Sequence, residues 1–253
     1  GKGFVPVLVD PETAILKHGL FPALIDARLL KSTADTDISS APLVIGLGRF
    51  GGAVALSLAE LGHEVRGIDE SADIVQSWAD RLTHVVQADT TDSETLRRLG
   101  VHEFSRAVVA IGTDIEASVL TVLALTDLGI PDIWAKALEP KHGRILERTG
   151  AHHVIYPEAD MGRRVAHLVA SKMIDFMEID EGVAIGKTRV PTAEAGRTLM
   201  ECALRKRYGI TVVGVKRAGQ EFIHATPETT LEAGDLLVIS GTPQQVEAFA
   251  AAT

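Results

Sequence analysis

The sequence predicts an α/β fold: a Rossmann-like, doubly wound parallel sheet with a crossover helix and a small α+β C-terminal lobe. Three observations support this prediction. A short apolar run at residues 43–47 ends in a Gly-x-Gly-x-x-Gly motif and passes into an amphipathic segment of helix length. Strand-like and helix-like segments then alternate up to residue 156. After residue 180 the segments become shorter and mixed, which indicates a second, smaller lobe.

The alternating region contains strand and helix candidates joined by short turns. We predict strands at residues 43–47, 64–68, 84–87, 107–111, 133–137 and 153–156, and helices at residues 51–61, 72–79, 93–99, 115–128 and 140–149. Gly62, Gly100, Gly129 and Gly150 follow predicted helices, where glycine is a common C-terminal cap. Right-handed crossovers place a ligand crevice at the carboxyl ends of the first strands, where the strand order reverses.

We divide the chain into an N-terminal extension at residues 1–41, a sheet lobe at 42–159, a crossover helix at 160–179 and a C-terminal lobe at 180–253. The extension has no clear repeat, and we interpret it as a partner-contacting arm or a poorly ordered segment outside the core fold. Residues 160–179 carry apolar side chains at helical spacing. That stripe either crosses to another subunit or docks the next domain, or it packs on its own sheet as an ordinary last helix.

The C-terminal lobe mixes short elements of both kinds. We predict a loosely alternating strand at residues 183–190, a helix at 198–208, a hairpin of 211–216 and 221–224 around Gly219, a strand at 236–240 and a helix at 244–251. A lobe of about 75 residues is near the low end for an independent core, so pairing with a second copy would add burial.

Composition excludes several classes of protein. The 253 residues carry a net charge of -9, which argues against nucleic acid or an anionic membrane as the main partner. The single cysteine, Cys202, excludes an intrachain disulfide framework and lies in an apolar helical run, so we expect a buried core residue. No apolar run reaches the roughly 18 residues that a membrane span requires. We therefore expect a soluble, intracellular chain.

The glycine motif favours a nucleotide diphosphate or a dinucleotide as ligand. Gly46 permits a tight turn, Gly48 lets phosphates approach the backbone, and Gly51 lets the following helix lie close to the strand. The N–H groups at the start of that helix face the phosphates. Asp69 ends the second strand about twenty residues later, where a ribose-binding carboxylate is expected. Its charge disfavours NADP; the alternative interpretation of Asp69 is a solvated acid at a strand end.

Six sequence blocks carry a family resemblance. They are IGLGRFGG at residues 45–52, ADTTD at 88–92, AIGTDIEAS at 110–118, IWAKA at 133–137, IYPEADMG at 155–162 and KRYGIT at 206–211. In this order they resemble the cytosolic regulatory subunits of Ktr/Trk-type potassium uptake systems, which are built from an RCK (KTN) module of TrkA-N and TrkA-C lobes. The resemblance runs from residue 42 to about residue 250 and leaves residues 1–41 without a counterpart.

The resemblance implies a non-enzymatic regulator. Family members form dimers that assemble into an octameric ring against a membrane-embedded potassium-translocating subunit, and bound nucleotide sets the shape of the ring. We therefore expect a cytoplasmic chain, held at the inner face of the plasma membrane through its transporter partner. No catalytic residues are implied, and ATP or ADP is the expected ligand, with NAD or NADH as the alternative.

The resemblance also assigns a nucleotide site. Its predicted members are Gly46, Leu47, Gly48, Arg49, Phe50, Gly51, Asp69, Glu70, Asp89, Thr90, Ile111, Gly112 and Lys136. By resemblance, Arg49 reaches the terminal phosphate of nucleotide bound to a neighbouring subunit, because a guanidinium meets phosphate oxygens bidentately. A dinucleotide has no such terminal phosphate, so Arg49 favours ATP and ADP. The alternative role of Arg49 is a surface salt bridge.

Two further residues are assigned by resemblance alone. Glu158 aligns with a glutamate that helps to hold Mg²⁺ or Ca²⁺ near the nucleotide phosphates, and carboxylate with phosphate oxygens suits either hard ion. Its alternative role is an acid favoured by a helix dipole. Arg205 corresponds to an arginine that binds cyclic di-AMP in some relatives, although Leu199 and Met200 depart from the flanking apolar pair. Arg205 is otherwise a solvated helix residue.

Two competing functions remain open. One is an NAD(H)-binding, redox-sensing regulator of the same transport system, which has the same fold and a different ligand. The other is an NAD-dependent oxidoreductase. Against the latter, the region after the sheet is short for a substrate domain and offers no acid–base pair or metal cluster for hydride transfer. Adjacent His152 and His153 would point to opposite faces of a strand, so they do not form a metal site.

Overall fold

The computed structural model describes residues 41–180 and 182–252. It divides into two compact units, one ending at Tyr156 and the other beginning at Pro157. Residues 1–40, the bulk of the predicted N-terminal extension, lie outside the described residues.

The first unit alternates strands and helices as predicted. Its elements are β1 (Pro42–Ile45), α1 (Arg49–Glu60), β2 (Arg66–Asp69), α2 (Ala72–Trp78), β3 (His84–Gln87), α3 (Ser93–Arg98), β4 (Arg106–Val109), α4 (Ile115–Asp127), β5 (Asp132–Lys136), α5 (Pro140–Thr149) and β6 (His153–Ile155). The strands form one parallel sheet in the order β3-β2-β1-β4-β5-β6. This order reverses between β1 and β4, so the predicted Rossmann-like fold is confirmed.

Successive side chains of a strand point to opposite faces of the sheet. Helices pack on both faces of this sheet, so side chains on both faces of its central strand are buried. Leu43 and Ile45 pack in a core with side chains of α3, α4 and α5. Val44 lies in a second core with side chains of α1 and α2. All four residues of β1 are buried, which explains the continuous apolar run in the sequence. The strand ends two residues earlier than predicted because Gly46 adopts a positive φ of 85°.

The second unit is a small antiparallel α+β lobe. Its elements are α6 (Pro157–Ala170), β7 (Asp175–Asp180), β8 (Val183–Arg189), α7 (Leu199–Cys202), α8 (Leu204–Tyr208), β9 (Thr211–Lys216), β10 (Phe222–His224), β11 (Leu236–Gly241) and α9 (Pro243–Ala251). The sheet has the order β10-β9-β11-β8-β7. The predicted hairpin is present, since β9 and β10 pair in antiparallel fashion. The core of the lobe includes the buried side chains of Phe176, Leu237, Ile239 and Phe249.

The predicted long helix at residues 160–179 is wrong. Helix α6 ends at Ala170, and residues 175–180 form strand β7 against β8. At the break, the Ser171 hydroxyl donates to the carbonyl of His167 at 2.7 Å and accepts from the N–H of Met173 at 3.2 Å. These local bonds compete with continued helix. The apolar residues of this region fit both the helical period of about 3.6 residues and the strand period of about 2 residues. The strand buries Phe176, and its backbone extends the sheet.

The predicted single helix at residues 198–208 is also interrupted. Ala203 has φ 47°, a left-handed conformation that ends α7 and separates it from α8. Thr198 caps α7, with its hydroxyl accepting from the N–H of Glu201 at 3.3 Å. The sequence gives no warning of the break, since alanine strongly favours helix.

Candidate functional site

The glycine turn lies where three parallel strands meet. The N–H of Gly46 donates to the carbonyl of Ile68 at 2.8 Å, and the N–H of Ala110 donates to the carbonyl of Ile45 at 2.7 Å. These bonds join the carboxyl ends of β1, β2 and β4. The turn therefore stands at the point where the strand order reverses, the position at which open α/β sheets bind ligands.

Gly51 and Gly48 of the motif are glycine for two different structural reasons. A Cβ on Gly51 would lie 1.8 Å from the carbonyl oxygen of Gly46, so α1 approaches the turn as closely as its backbone allows. A Cβ on Gly48 would meet nothing within 4 Å, which leaves the backbone open to an approaching ligand. Gly48 is also the N-cap residue of α1, and no side chain caps the helix there. The arrangement fits a phosphate, which helix N–H groups and the helix dipole attract.

Asp69 holds the turn in place. Its carboxylate accepts from the N–H of Leu47 at 2.7 Å and from the N–H of Ser71 at 2.9 Å, and its side chain is buried. An ionised carboxylate has about four acceptor positions, so capacity for ribose hydroxyls remains. Asp69 is therefore more than the solvated acid of the alternative interpretation. The neighbouring Glu70 is exposed, and its carbonyl accepts from the side chain of Gln87 at 3.0 Å.

Further predicted residues converge on the same edge of the sheet. Lys136, which ends β5, is buried, with its ammonium 5.6 Å from the centroid of the Phe50 ring. A Cβ on Gly112 would lie 3.1 Å from that ammonium, and a Cβ on Gly46 would lie 3.1 Å from the backbone nitrogen of Ile111. The structure thus brings together the ammonium of Lys136, the backbone of Ile111 and Gly112, and the glycine turn.

The remaining predicted residues of the first unit have local partners. The hydroxyl of Thr90 lies 2.8 Å from that of Thr121 on α4, and both residues are buried. Asp89 is exposed and accepts from the N–H and the hydroxyl of Thr91, at 2.9 and 2.6 Å. Arg49 is exposed at the first position of α1, accessible to a second molecule.

Sequence reasoning missed Trp78. This last residue of α2 donates its indole N–H to the carbonyl of Leu47 at 2.9 Å. A Cβ on Gly52 would lie 2.1 Å from the indole ring, so only glycine accommodates Trp78 in this position. The second glycine of the Gly51-Gly52 pair, which the phosphate motif does not require, is the one sequence signal that pointed to this contact.

Comparisons with known proteins identify the family. Residues 43–157 match the TrkA-N domain and residues 190–253 match the TrkA-C domain. The chain is 36% identical over 207 residues to "Ktr system potassium uptake protein C" of Bacillus subtilis (strain 168), covering 81% of this chain and 94% of that protein. It is 38% identical over 200 residues to "Ktr system potassium uptake protein A" of Vibrio alginolyticus, covering 78% and 90%. The chain belongs to the Ktr potassium uptake protein family.

Solved structures agree with the fold of this Ktr family chain. The "GsuK RCK domain" superposes with a TM-score of 0.61 at 23% identity, covering 86% of this chain and 48% of that chain. The "GsuK channel bound to NAD" superposes with a TM-score of 0.60 at 23% identity, covering 87% and 41%. The Ktr family chain thus spans less than half the length of these two solved chains and has the RCK fold.

The second unit of the Ktr family chain contains the other two predicted ligand residues. Glu158 is exposed in the first turn of α6. Within residues 41–180 and 182–252, no three His, Cys, Asp or Glu side chains form a group that could hold a metal ion. Arg205 on α8 is exposed and donates to the hydroxyl of Thr211 at 3.1 Å. Every helix in those ranges is too short or too polar to cross a membrane.

A buried carboxylate organises the second unit of this Ktr family chain. Glu194 accepts from the guanidinium of Arg207 and, at 3.0 Å, from that of Arg197, and it is almost fully buried. Burial raises the pKa of the Glu194 carboxyl, but hydrogen bonds and both guanidinium charges outweigh it, so the pKa lies below its ordinary range. Cys202 is buried, which confirms the expected core residue, and burial raises the pKa of its thiol to about 11.

Proposed function

We propose that this chain is a cytosolic, nucleotide-binding regulatory subunit that gates a membrane potassium transporter and catalyses no reaction. One observation carries the proposal: in a chain of the Ktr family, an open glycine turn stands at the point where the strand order reverses. Gly48 leaves its backbone accessible, and the start of α1 has no side-chain cap. Both features suit bound phosphate. The proposal places the chain in the cytoplasm, at the inner face of the plasma membrane through its transporter partner.

ATP and ADP are the proposed ligands. The phosphates lie on the backbone between Gly46 and Gly51, and the ribose hydroxyls donate to the free acceptor positions of Asp69. Lys136 adds positive charge at the same edge, and its burial keeps that charge poorly screened. The exposed guanidinium of Arg49 reads the terminal phosphate of nucleotide on a second subunit.

The gating mechanism requires a difference in affinity between two assemblies. We propose that dimers of this chain form an octameric ring, and that ATP and ADP each stabilise a different shape of that ring. A ligand shifts such an equilibrium only as far as it prefers one state. Glu158 would supply one oxygen to Mg²⁺ or Ca²⁺ between subunits, and Arg205 would bind cyclic di-AMP after releasing Thr211.

NAD or NADH is the second candidate ligand. A buried acid at the end of β2, here Asp69, is the residue type that receives the ribose of NAD in this class of fold. The solved "GsuK channel bound to NAD", which shares the fold, carries that ligand. An NAD(H)-binding chain would sense redox state in place of the ATP/ADP ratio.

Titration of the full chain with ATP, ADP, NADH and cyclic di-AMP, followed by thermal unfolding, tests these proposals. A ligand at one hundred times its Kd stabilises the folded state by about 2.7 kcal/mol. We expect ATP and ADP to raise the melting temperature at lower concentrations than NADH. The reverse order would favour the redox sensor, and no shift with any nucleotide would refute both. Specific oxidation of NADH with a panel of carbonyl compounds would show an oxidoreductase instead.

A further inference from the structure

The peptide groups on either side of Leu47 are held by two different side chains. Asp69 accepts from the Leu47 N–H, and the indole of Trp78 donates to the Leu47 carbonyl. We propose that Trp78 is a positioning residue for the phosphate-binding turn and that it aims the N–H of Gly48 at the ligand. This inference rests on the proposed nucleotide-binding function and names a residue that the family motif does not contain.

The carbonyl of Leu47 and the N–H of Gly48 belong to the same planar, trans peptide, so they point in opposite directions. The bond from Trp78 to the carbonyl, at 2.9 Å, therefore fixes the direction of the Gly48 N–H. That N–H points away from the indole, and Gly48 is the glycine of the motif at which a Cβ would meet nothing within 4 Å. Trp78 thus orients a donor toward the open side of the turn.

The indole is itself held from two sides. Its ring lies against Gly52, where an added Cβ would come within 2.1 Å of it. The guanidinium of Arg81 lies 4.1 Å from the centroid of a Trp78 ring, an attractive cation–π arrangement. The acceptor is buried as well, since Leu47 has 1% of its surface exposed. A buried carbonyl that loses its hydrogen-bond donor destabilises the folded state. The contact is therefore specific, because helix, ring and turn fit together only with glycine at position 52.

The test compares Trp78→Phe with Trp134→Phe in the full chain. Phenylalanine keeps an aromatic ring and removes the N–H donor. Trp134 is the matched control, because it stacks on His153 at 4.1 Å and contacts that ring in place of the turn. We expect Trp78→Phe to weaken ATP and ADP binding alike by about fivefold, the factor that one net hydrogen bond supplies. The ATP/ADP ratio should stay unchanged, and Trp134→Phe should bind as the unsubstituted chain does.

Hydrogen exchange separates positioning from general stability. In the chain without ligand, the amide of Leu47, which is buried and bonded to Asp69, should exchange faster in Trp78→Phe than in Trp134→Phe, while amides in the middle of β1 exchange equally in both. A merely structural role would lower the melting temperature and speed exchange throughout the sheet. Equal Leu47 exchange and equal affinity in the two variants would overturn the inference. If the unsubstituted chain binds no nucleotide, the proposed function fails, and Leu47 exchange still reports whether Trp78 holds the turn.

A second variant, Gly52→Ala, tests the hydrogen bond between Trp78 and the Leu47 carbonyl without changing Trp78. In Gly52→Ala the new methyl group displaces the indole, so nucleotide affinity should fall although Trp78 is intact. The smaller phenylalanine ring leaves room for that methyl group, and the double variant should bind no more weakly than Gly52→Ala alone. Additive losses in the double variant would show that the two positions act independently and would overturn the inference.

Discussion

Replacing Asp69 with asparagine tests the hold on the glycine turn. The carboxylate accepts two backbone N–H groups, whereas a carboxamide offers one acceptor oxygen and a donor group. The oxygen will face Leu47, whose N–H is buried, and the N–H of Ser71 will turn to water. Losing the charge on one bond costs about 1 kcal/mol, and losing the second bond costs about 1 to 2 kcal/mol. We therefore expect a total destabilisation of about 2 to 3 kcal/mol.

Thermal unfolding of the chain without ligand measures this effect. At roughly 4 °C per kcal/mol for a unit of this size, the transition of the first unit should fall by about 10 °C. Asp80→Asn is the control, because Asp80 is an exposed acid just beyond α2 and should leave the transition unchanged. If Asp69→Asn unfolds at the same temperature as the unsubstituted chain, the carboxylate does not hold the turn through these two hydrogen bonds.

Three further predictions concern the turn, the proposed subunit contact and the second unit. Gly51→Ala should lose both nucleotide binding and stability, because its Cβ would clash with the Gly46 carbonyl, whereas Gly48→Ala should keep its melting temperature and lose binding only. Arg49→Ala should reduce the preference between ATP and ADP more than it reduces ADP affinity, measured by calorimetry; equal losses would refute the intersubunit role. Glu194→Gln should destabilise the second unit by about 2 kcal/mol at neutral pH. Because the pKa of Glu194 is lowered by folding, that difference should persist down to about pH 4.3 and shrink below it as the native carboxyl protonates, which urea unfolding across pH will show.

The glycine spacing and the alternation of elements were sufficient to predict the first sheet. A parallel sheet buries both faces of each strand, so its strands are readable as short apolar runs separated by amphipathic helices. The turn and Asp69 followed because their positions are tied to the strand ends. Each of these signals is local in sequence or set by a fixed spacing.

The second unit was harder to predict because its decisive contacts are not periodic. Strand β7 has an apolar pattern that suits a helix equally well, and a serine side chain at residue 171 decides where α6 ends. The break at Ala203 depends on a left-handed backbone conformation that its residue type disfavours. Glu194 bonds to Arg207, 13 positions away in the sequence, and in the first unit Trp78 bonds to a backbone atom 31 positions away. Such contacts leave little trace in a single sequence.

Helix α2 is attached to the glycine turn at both of its ends. Ser71, its N-cap, shares the carboxylate of Asp69 with Leu47, and Trp78, its last residue, bonds to Leu47 directly. The helix has no fully buried residue, and these two anchors, about 10 Å apart along its axis, restrain its orientation together with its packing on the second core. Both ends of the helix are hydrogen-bonded to the glycine turn or to the Asp69 side chain that holds it. Rotation of the helix about its long axis must therefore break one of these hydrogen bonds. A spectroscopic label on the solvent-exposed side of α2 would report any tilt of the glycine turn as a tilt of the whole helix.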